Sequence, residues 1–240
     1  MSSKRRLGSE AEEEGPAVKS KFVKPKLDSR LGREFFTAPC SALAQALVGC
    51  TLCRQSGDTT LRVRIVETEA YPGNSEQGDP ASHSFVRRTE RNAAMFMQPG
   101  TVYVYNIYGM YQCFNISSGG EGAAVLVRAG EPLQGSKTML AARQARRKPV
   151  AKPLRDTELC SGPSKLCQAL GITRKLDQAD LVESEEVWLE AGEPPALLVT
   201  TTRVGISGAG PQAAARPLRW YELSNLHVSV KDKKAEAKAQ

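Results

Sequence analysis

The sequence predicts an α+β fold in one domain, and three observations lead there. Several segments read as strands, one by alternating apolar and polar residues and others by their Tyr, Val, Ile and Phe content; the helical patterns fall between them irregularly, without a βαβ rhythm; and the polar stretches at the two ends leave a middle of ordinary domain size.

Taken in order, residues 1–28 mix Ser, Lys, Arg, Glu, Gly and Pro with few large apolar side chains, the composition of a disordered tail. Lys4-Arg5-Arg6, with Lys19, Lys21, Lys24 and Lys26, suits a nuclear address or a DNA-tethering arm. The domain is expected over 29–230. A first helix is expected with Thr37 as its cap and Pro39 in its first turn, with Leu43, Leu47 and Val48 forming the apolar face and Gly49 as the stop. Cys50–Arg54 and Leu61–Tyr71 read as two strands joined at Gly57-Asp58. Thr101–Tyr111 and Gln112–Ser117 read as a ribbon broken by Gly109, and Ala123–Ala129 as another strand. Helices are expected over 136–147 and from Ser161-Gly162-Pro163 to Leu170. Strands are expected over Leu181–Leu189, Leu197–Val204 and Leu218–Val230, and 231–240 reads as a frayed, charged tail.

Lysine and arginine number 33 against 26 acids, a net charge of +7, which suits a polyanionic partner and equally suits plain solubility. The six cysteines lie in apolar or helical surroundings, and no secretory signal is seen, so reduced thiols inside a cell are expected. Cys50-x-x-Cys53 has no matching second pair, and His83 and His227 are the only histidines, so no metal site is expected. No apolar run is long enough to span a bilayer, and no membrane partner is expected. There is no P-loop, and Gly205-x-x-Gly208-x-Gly210 has the wrong glycine order for a dinucleotide loop and reads as a flexible turn.

The chemistry centres on Arg64–Tyr71. Its alternation, that of a half-buried strand, puts Glu67, Glu69 and Tyr71 on one face and Val66, Thr68 and Ala70 on the other. Singly, Glu69, Tyr71 and His83 each have an ordinary structural explanation. Together with Met95–Met97, Tyr103–Tyr111 and Cys113–Ser117 they form a constellation. The motifs are ETEAY at 67–71, DPASH at 79–83, Arg88-Thr89-Glu90-Arg91-Asn92, MFMQPGTVYVYNIYGMY at 95–111 and LCSGPSKLCQALGI at 159–172. In this order they resemble the alkyladenine, or 3-methyladenine, DNA glycosylase family over Leu31–Val230.

That resemblance implies a curved antiparallel sheet with a protruding hairpin and surrounding helices, similar to the C-terminal domain of formyltransferases. It implies a monofunctional enzyme that flips 3-methyladenine, 7-methylguanine, hypoxanthine or ethenoadenine out of duplex DNA and hydrolyses the N-glycosidic bond, starting base excision repair. Glu69 would be the catalytic base, since an ionised carboxylate can deprotonate water and favour a cationic sugar; Glu67 would be structural. Tyr108 beside Gly109 would be the wedge that fills the gap in the duplex, supported by Met110. Tyr71, His83, Tyr105, Asn115 and Arg128 would form the base pocket, its aromatic rings favouring a cationic base and Asn115 excluding guanine. Arg88, Arg91, Asn92 and Lys165 would contact phosphates. No cofactor is implied. Double-stranded DNA with damaged purines is the expected partner, bound by a monomer, with downstream repair proteins beyond it; the nucleus is the expected location, with a possible mitochondrial fraction.

The chain departs from the family pattern at the long polar loop between Tyr71 and His83, at Glu90 in place of a common proline, and at Asn106 and Gln112 in an otherwise apolar ribbon. Two rival readings are a non-catalytic detector of distorted DNA and a hydrolase of free nucleosides.

Overall fold

The computed structural model describes residues 29–74, 78–148 and 152–240, so the expected basic tail at 1–28 lies outside the described residues. The chain enters through two short helices, α1 (Arg33–Phe36) and α2 (Cys40–Leu47). Thr37 does not cap α2 as expected. It closes α1, its hydroxyl donating to the Glu34 carbonyl at 2.7 Å, while Pro39 takes the N-cap position of α2. A residue before proline is driven out of the helical region, so a helix cannot run from Ala38 through Pro39. Leu43 and Leu47 are fully buried, and Gly49 turns the chain at φ 102°.

Strands β1 (Thr51–Ser56) and β2 (Thr59–Tyr71) follow as a hairpin, and β3 (Val102–Ile107), β4 (Tyr111–Ser117) and β5 (Ala124–Gln134) form a meander. Helices α3 (Ser136–Gln144) and α4 (Pro163–Ala169) come next, then β6 (Val187–Glu190), β7 (Leu198–Thr201), α5 (Pro211–Ala215), β8 (Arg219–Glu222) and α6 (Lys233–Ala239). The strands form one sheet in the order β3-β4-β5-β2-β1-β6, with β8 pairing β2 and β7 pairing β8, every pair antiparallel. The α+β reading holds.

β2 is the hub. β5 runs along one edge, while β1 covers the first half of the other edge and β8 the second half. The strand is therefore not half-buried as expected: residues 65–70 are buried on both faces. Nor is its alternation unbroken. The pairing with β5 slips between Ile65 and Glu67 and again between Glu67 and Thr68. Leu61, Val63 and Ile65 point into the main core, and after the bulge Thr68 and Ala70 take that face, Thr68 donating to the Ala44 carbonyl of α2 at 2.7 Å. Val66 joins a separate small cluster with Ala129, Val199, Tyr221 and Val228. Without the slip, Leu61, Val63 and Ile65 would share a face with Glu67 and Glu69. The bulge moves the acids away from the oil.

The later strands are shorter than the sequence suggests. β6 starts only at Val187, after a turn at Asp180–Ser184; β8 stops at Glu222, where Ser224 adopts φ 64°. β5 runs longer than expected, to Gln134. The expected frayed end at 231–240 is instead the helix α6. Asp232 caps it by accepting from the backbone N–H groups of Lys234 and Ala235, and Ala235 and Ala239 pack on the Val66–Tyr221 cluster. An N-cap and a small apolar stripe order a segment whose composition reads as a tail.

Candidate active site

On the face of β2 that the bulge frees for polar groups, Glu67 and Glu69 are both fully buried, and their partners separate their roles. Glu67 Oε1 accepts from Arg128 Nε at 2.8 Å and Arg219 Nη1 at 2.9 Å, and Oε2 accepts the Ser229 N–H at 2.7 Å. Glu69 Oε2 accepts from the Tyr71 hydroxyl at 2.9 Å, and Oε1 accepts from the Val204 N–H at 2.7 Å, with Arg128 Nη1 at 3.2 Å. Arg128 thus bridges the two acids. It sits where the β5 register skips a residue, which is how a bulge re-aims a side chain.

Above this layer opens a cavity of about 600 Å³, a size typical of small-molecule sites. Tyr71, His83, Tyr105, Asn115 and Arg128, expected apart in sequence, all line it. The Asn115 amide nitrogen donates to the Tyr103 carbonyl at 3.0 Å, which fixes the side chain's orientation in the cavity wall. The His83 ring meets the Tyr105 ring edge-on at 4.5 Å, and its Nδ1 shares a proton with the Tyr103 hydroxyl at 2.9 Å. Behind Tyr71 the Arg203 guanidinium stacks at 4.7 Å from the ring centre. That arginine is locked by a two-pronged pair with Asp79 at 2.6 and 2.8 Å, and both side chains are fully buried.

Burial sets the titration of these groups. It raises the Tyr71 and Tyr105 phenols above their ordinary value, aided at Tyr71 by the Glu69 charge and at Tyr105 by Cys113, and lifts Tyr103 to about 12. Partial burial of its ring lowers His83, with the Arg91 charge adding to the effect, so the shift favours the neutral imidazole. Aromatic rings of Tyr71, His83, Tyr103, Tyr105 and Tyr108 share the lining with aliphatic side chains, and among the described residues Arg128 is its one permanently charged group.

The β3–β4 hairpin projects beside the cavity. Tyr108 at φ 51° and Gly109 at φ 74° form its tip, the paired left-handed residues of a tight hairpin turn. Tyr108 is 88% exposed and Met110 59%. The polar departures Asn106 and Gln112 are cross-strand partners joined at 3.2 Å. Arg88, Arg91 and Lys165 are exposed, with Arg91 near the Tyr105 ring and Arg88 near Phe96. Asn92 differs from the expectation of a phosphate contact. It is buried, its amide donating to the His83 and Arg87 carbonyls and accepting from the Thr89 N–H, so it holds the His83 loop in place. Among the described residues, no group of three His, Cys, Asp or Glu side chains is arranged to hold a metal ion.

The sequence reading missed one wall entirely. Val204, Gly205, Ile206, Gly208 and Ala209 line the cavity together with Ile107 and Tyr108 of the hairpin. Their glycines read as a flexible turn, although glycine also marks close approach of backbone to a ligand. Arg203, Arg219 and Ser229 were also missed, because nothing local in the sequence distinguishes an arginine or serine that folds inward.

The sequence model of the methylpurine-DNA glycosylase family matches residues 34–226. The chain belongs to this family. It is 52% identical over 234 residues to the DNA-3-methyladenine glycosylase of Homo sapiens, covering 94% of this chain and 77% of that protein. It is 52% identical over 214 residues to that of Mus musculus, covering 86% of this chain but only 63% of the relative. A putative 3-methyladenine DNA glycosylase of Methanocella arvoryzae is 43% identical over 201 residues, covering 83% of this chain and 95% of that protein. The cavity, Glu69 and the hairpin all lie within the part matched by the methylpurine-DNA glycosylase family.

Proposed function

We propose that this protein is a monofunctional DNA glycosylase that extrudes alkylated or deaminated purines from duplex DNA and hydrolyses their N-glycosidic bond. The observation that carries the reading is the buried Glu69 carboxylate, held by Tyr71, Val204 and Arg128 beneath an aromatic cavity. Glu69 takes a proton from water as the oxygen attacks the sugar C1′, and the bonding pair leaves with the base. A base alkylated at a ring nitrogen carries positive charge, so it accepts that pair readily and is favoured by the faces of Tyr71 and Tyr105. Reaching it requires extrusion, which Tyr108 supports by entering the stack from the hairpin tip. 3-Methyladenine and 7-methylguanine fit the cationic preference; hypoxanthine and ethenoadenine are the neutral lesions of this reading. Asn115 rejects guanine, while Arg88, Arg91 and Lys165 hold the flanking phosphates. The protein acts in the nucleus as a monomer and hands the abasic site to downstream repair proteins.

The test is single-turnover release of hypoxanthine and ethenoadenine from duplex DNA by the wild type and by Glu69→Gln. The wild type is expected to release base, and the variant to bind the lesion duplex but release base about 10²–10⁴-fold more slowly. A wild type that binds lesions and releases nothing would make the protein a damage detector. Turnover of the free nucleoside as fast as the duplex would make it a nucleoside hydrolase.

A further inference from the structure

The stretch from His227 to Lys231, beyond β8, lies past residue 226, where the match to the family model ends, yet it reaches the catalytic layer. We infer that Ser229 is a positioning residue for base release, setting the Arg128–Glu69 pair through its hydroxyl. The inference rests on the glycosylase reading of the site.

The geometry is a short relay. The Ser229 N–H donates to Glu67 Oε2 at 2.7 Å, and the Ser229 hydroxyl accepts from Arg128 Nη2 at 3.2 Å. The Glu67 carboxylate takes Arg128 Nε at 2.8 Å, which leaves Nη1 of the same guanidinium to meet Glu69 Oε1 at 3.2 Å. A planar guanidinium has its donors in a fixed fork, so two nitrogens held from behind determine where the third points. Ser229 supplies one of those two holds and braces the acid that supplies the other. Glu67 and Glu69 are fully buried and Arg128 nearly so, which strengthens the pairs that hold the guanidinium.

The segment is itself tied down on both sides of Ser229. Val228 is buried in the Val66–Tyr221 cluster, and the Val230 carbonyl accepts from Arg219 Nη1 at 2.8 Å. Beyond, the Asp232 N–H donates to the Tyr221 hydroxyl at 2.9 Å, and Tyr221 donates to Glu236 of α6 at 3.1 Å. The helix therefore anchors the segment that carries Ser229.

Ser229→Val and Ser229→Thr have the same shape and differ in the hydroxyl, and both keep the backbone N–H on Glu67. Ser229→Val is expected to slow single-turnover base release about ten-fold, the scale of one hydrogen bond to a charged group, with the Kd for lesion duplex unchanged. Ser229→Thr is expected to match the wild type. Equal rates for Val and Thr variants, fast or slow, would overturn the inference, as would a Kd weakened in step with the rate. If Ser229→Val does not fold, Ser229→Ala, which adds no bulk, replaces it in the comparison. Absence of base release by the wild type would instead be a failure of the glycosylase reading, so the two outcomes are distinct.

Discussion

The layer beneath the cavity and the tip of the β3–β4 hairpin are built on opposite principles. Below, Glu67, Glu69, Arg128 and Arg219 are buried, and the two carboxylates are held by several donors each. At the tip, Tyr108 stands almost fully in solvent on a backbone that non-glycine residues seldom adopt. The first region is held from several sides by the protein itself and is suited to hold a geometry. The second has an unpaired ring and no packing to lose, so its energy is realised only when something covers it. Mutations in the layer should therefore register first in stability, and mutations at the tip only in binding.

The largest effect is expected from Glu67→Ala. It leaves Arg128 and Arg219 without their shared acceptor in a buried site, and the cost is about 3–5 kcal/mol in denaturant unfolding. A loss no greater than that of an exposed acid would mean the layer is wetter and looser than its geometry. Tyr108→Ser sharpens the contrast from the other side. Unfolding stability should stay within about 0.5 kcal/mol, while affinity for lesion duplex falls about ten-fold, the scale of one lost base–aromatic stack. A stability change with unaltered affinity would reverse the assignment of the tip.

The smallest effect concerns pH. Burial lowers the folded-state pKa of His83 below the ordinary 6.5, and His227 shifts the same way. The unfolded chain therefore takes up these protons first as pH falls. Stability is present in full above the unfolded value and is lost as pH drops through it toward the folded value. Melting temperature should decline as pH falls through about 6.5, the ordinary imidazole value, and His83→Gln should flatten part of that decline. An identical slope in the variant would show that the His83 imidazole is as well solvated in the fold as out of it.

Much of this molecule was legible in its sequence. Alternation in β2, strand-forming composition and turn residues located β1 to β5, proline at the helix start located α4, and the glycine at 109 located the hairpin tip, because these signals depend on neighbours along the chain. The family resemblance carried by the ordered motifs, not local chemistry, picked out Glu69, Tyr71, His83, Tyr105, Asn115 and Arg128, which do line or underlie one cavity. Tertiary contacts decided the rest. Whether Thr37 caps one helix or closes another turned on which elements it joined, and whether 231–240 frays or folds turned on a cap and a small cluster found only in space. Asn92 reads as a polar surface residue until the loop closes around its amide. The bulge in β2 is the clearest case. The sequence by itself put both acids on one face, but only pairing with β5 and β8 rotated that face out of the core and brought Arg128, Arg219 and Ser229 to it. Register and burial are properties of strands in company, and a charge in the interior is tolerated only where distant parts of the chain arrive to meet it.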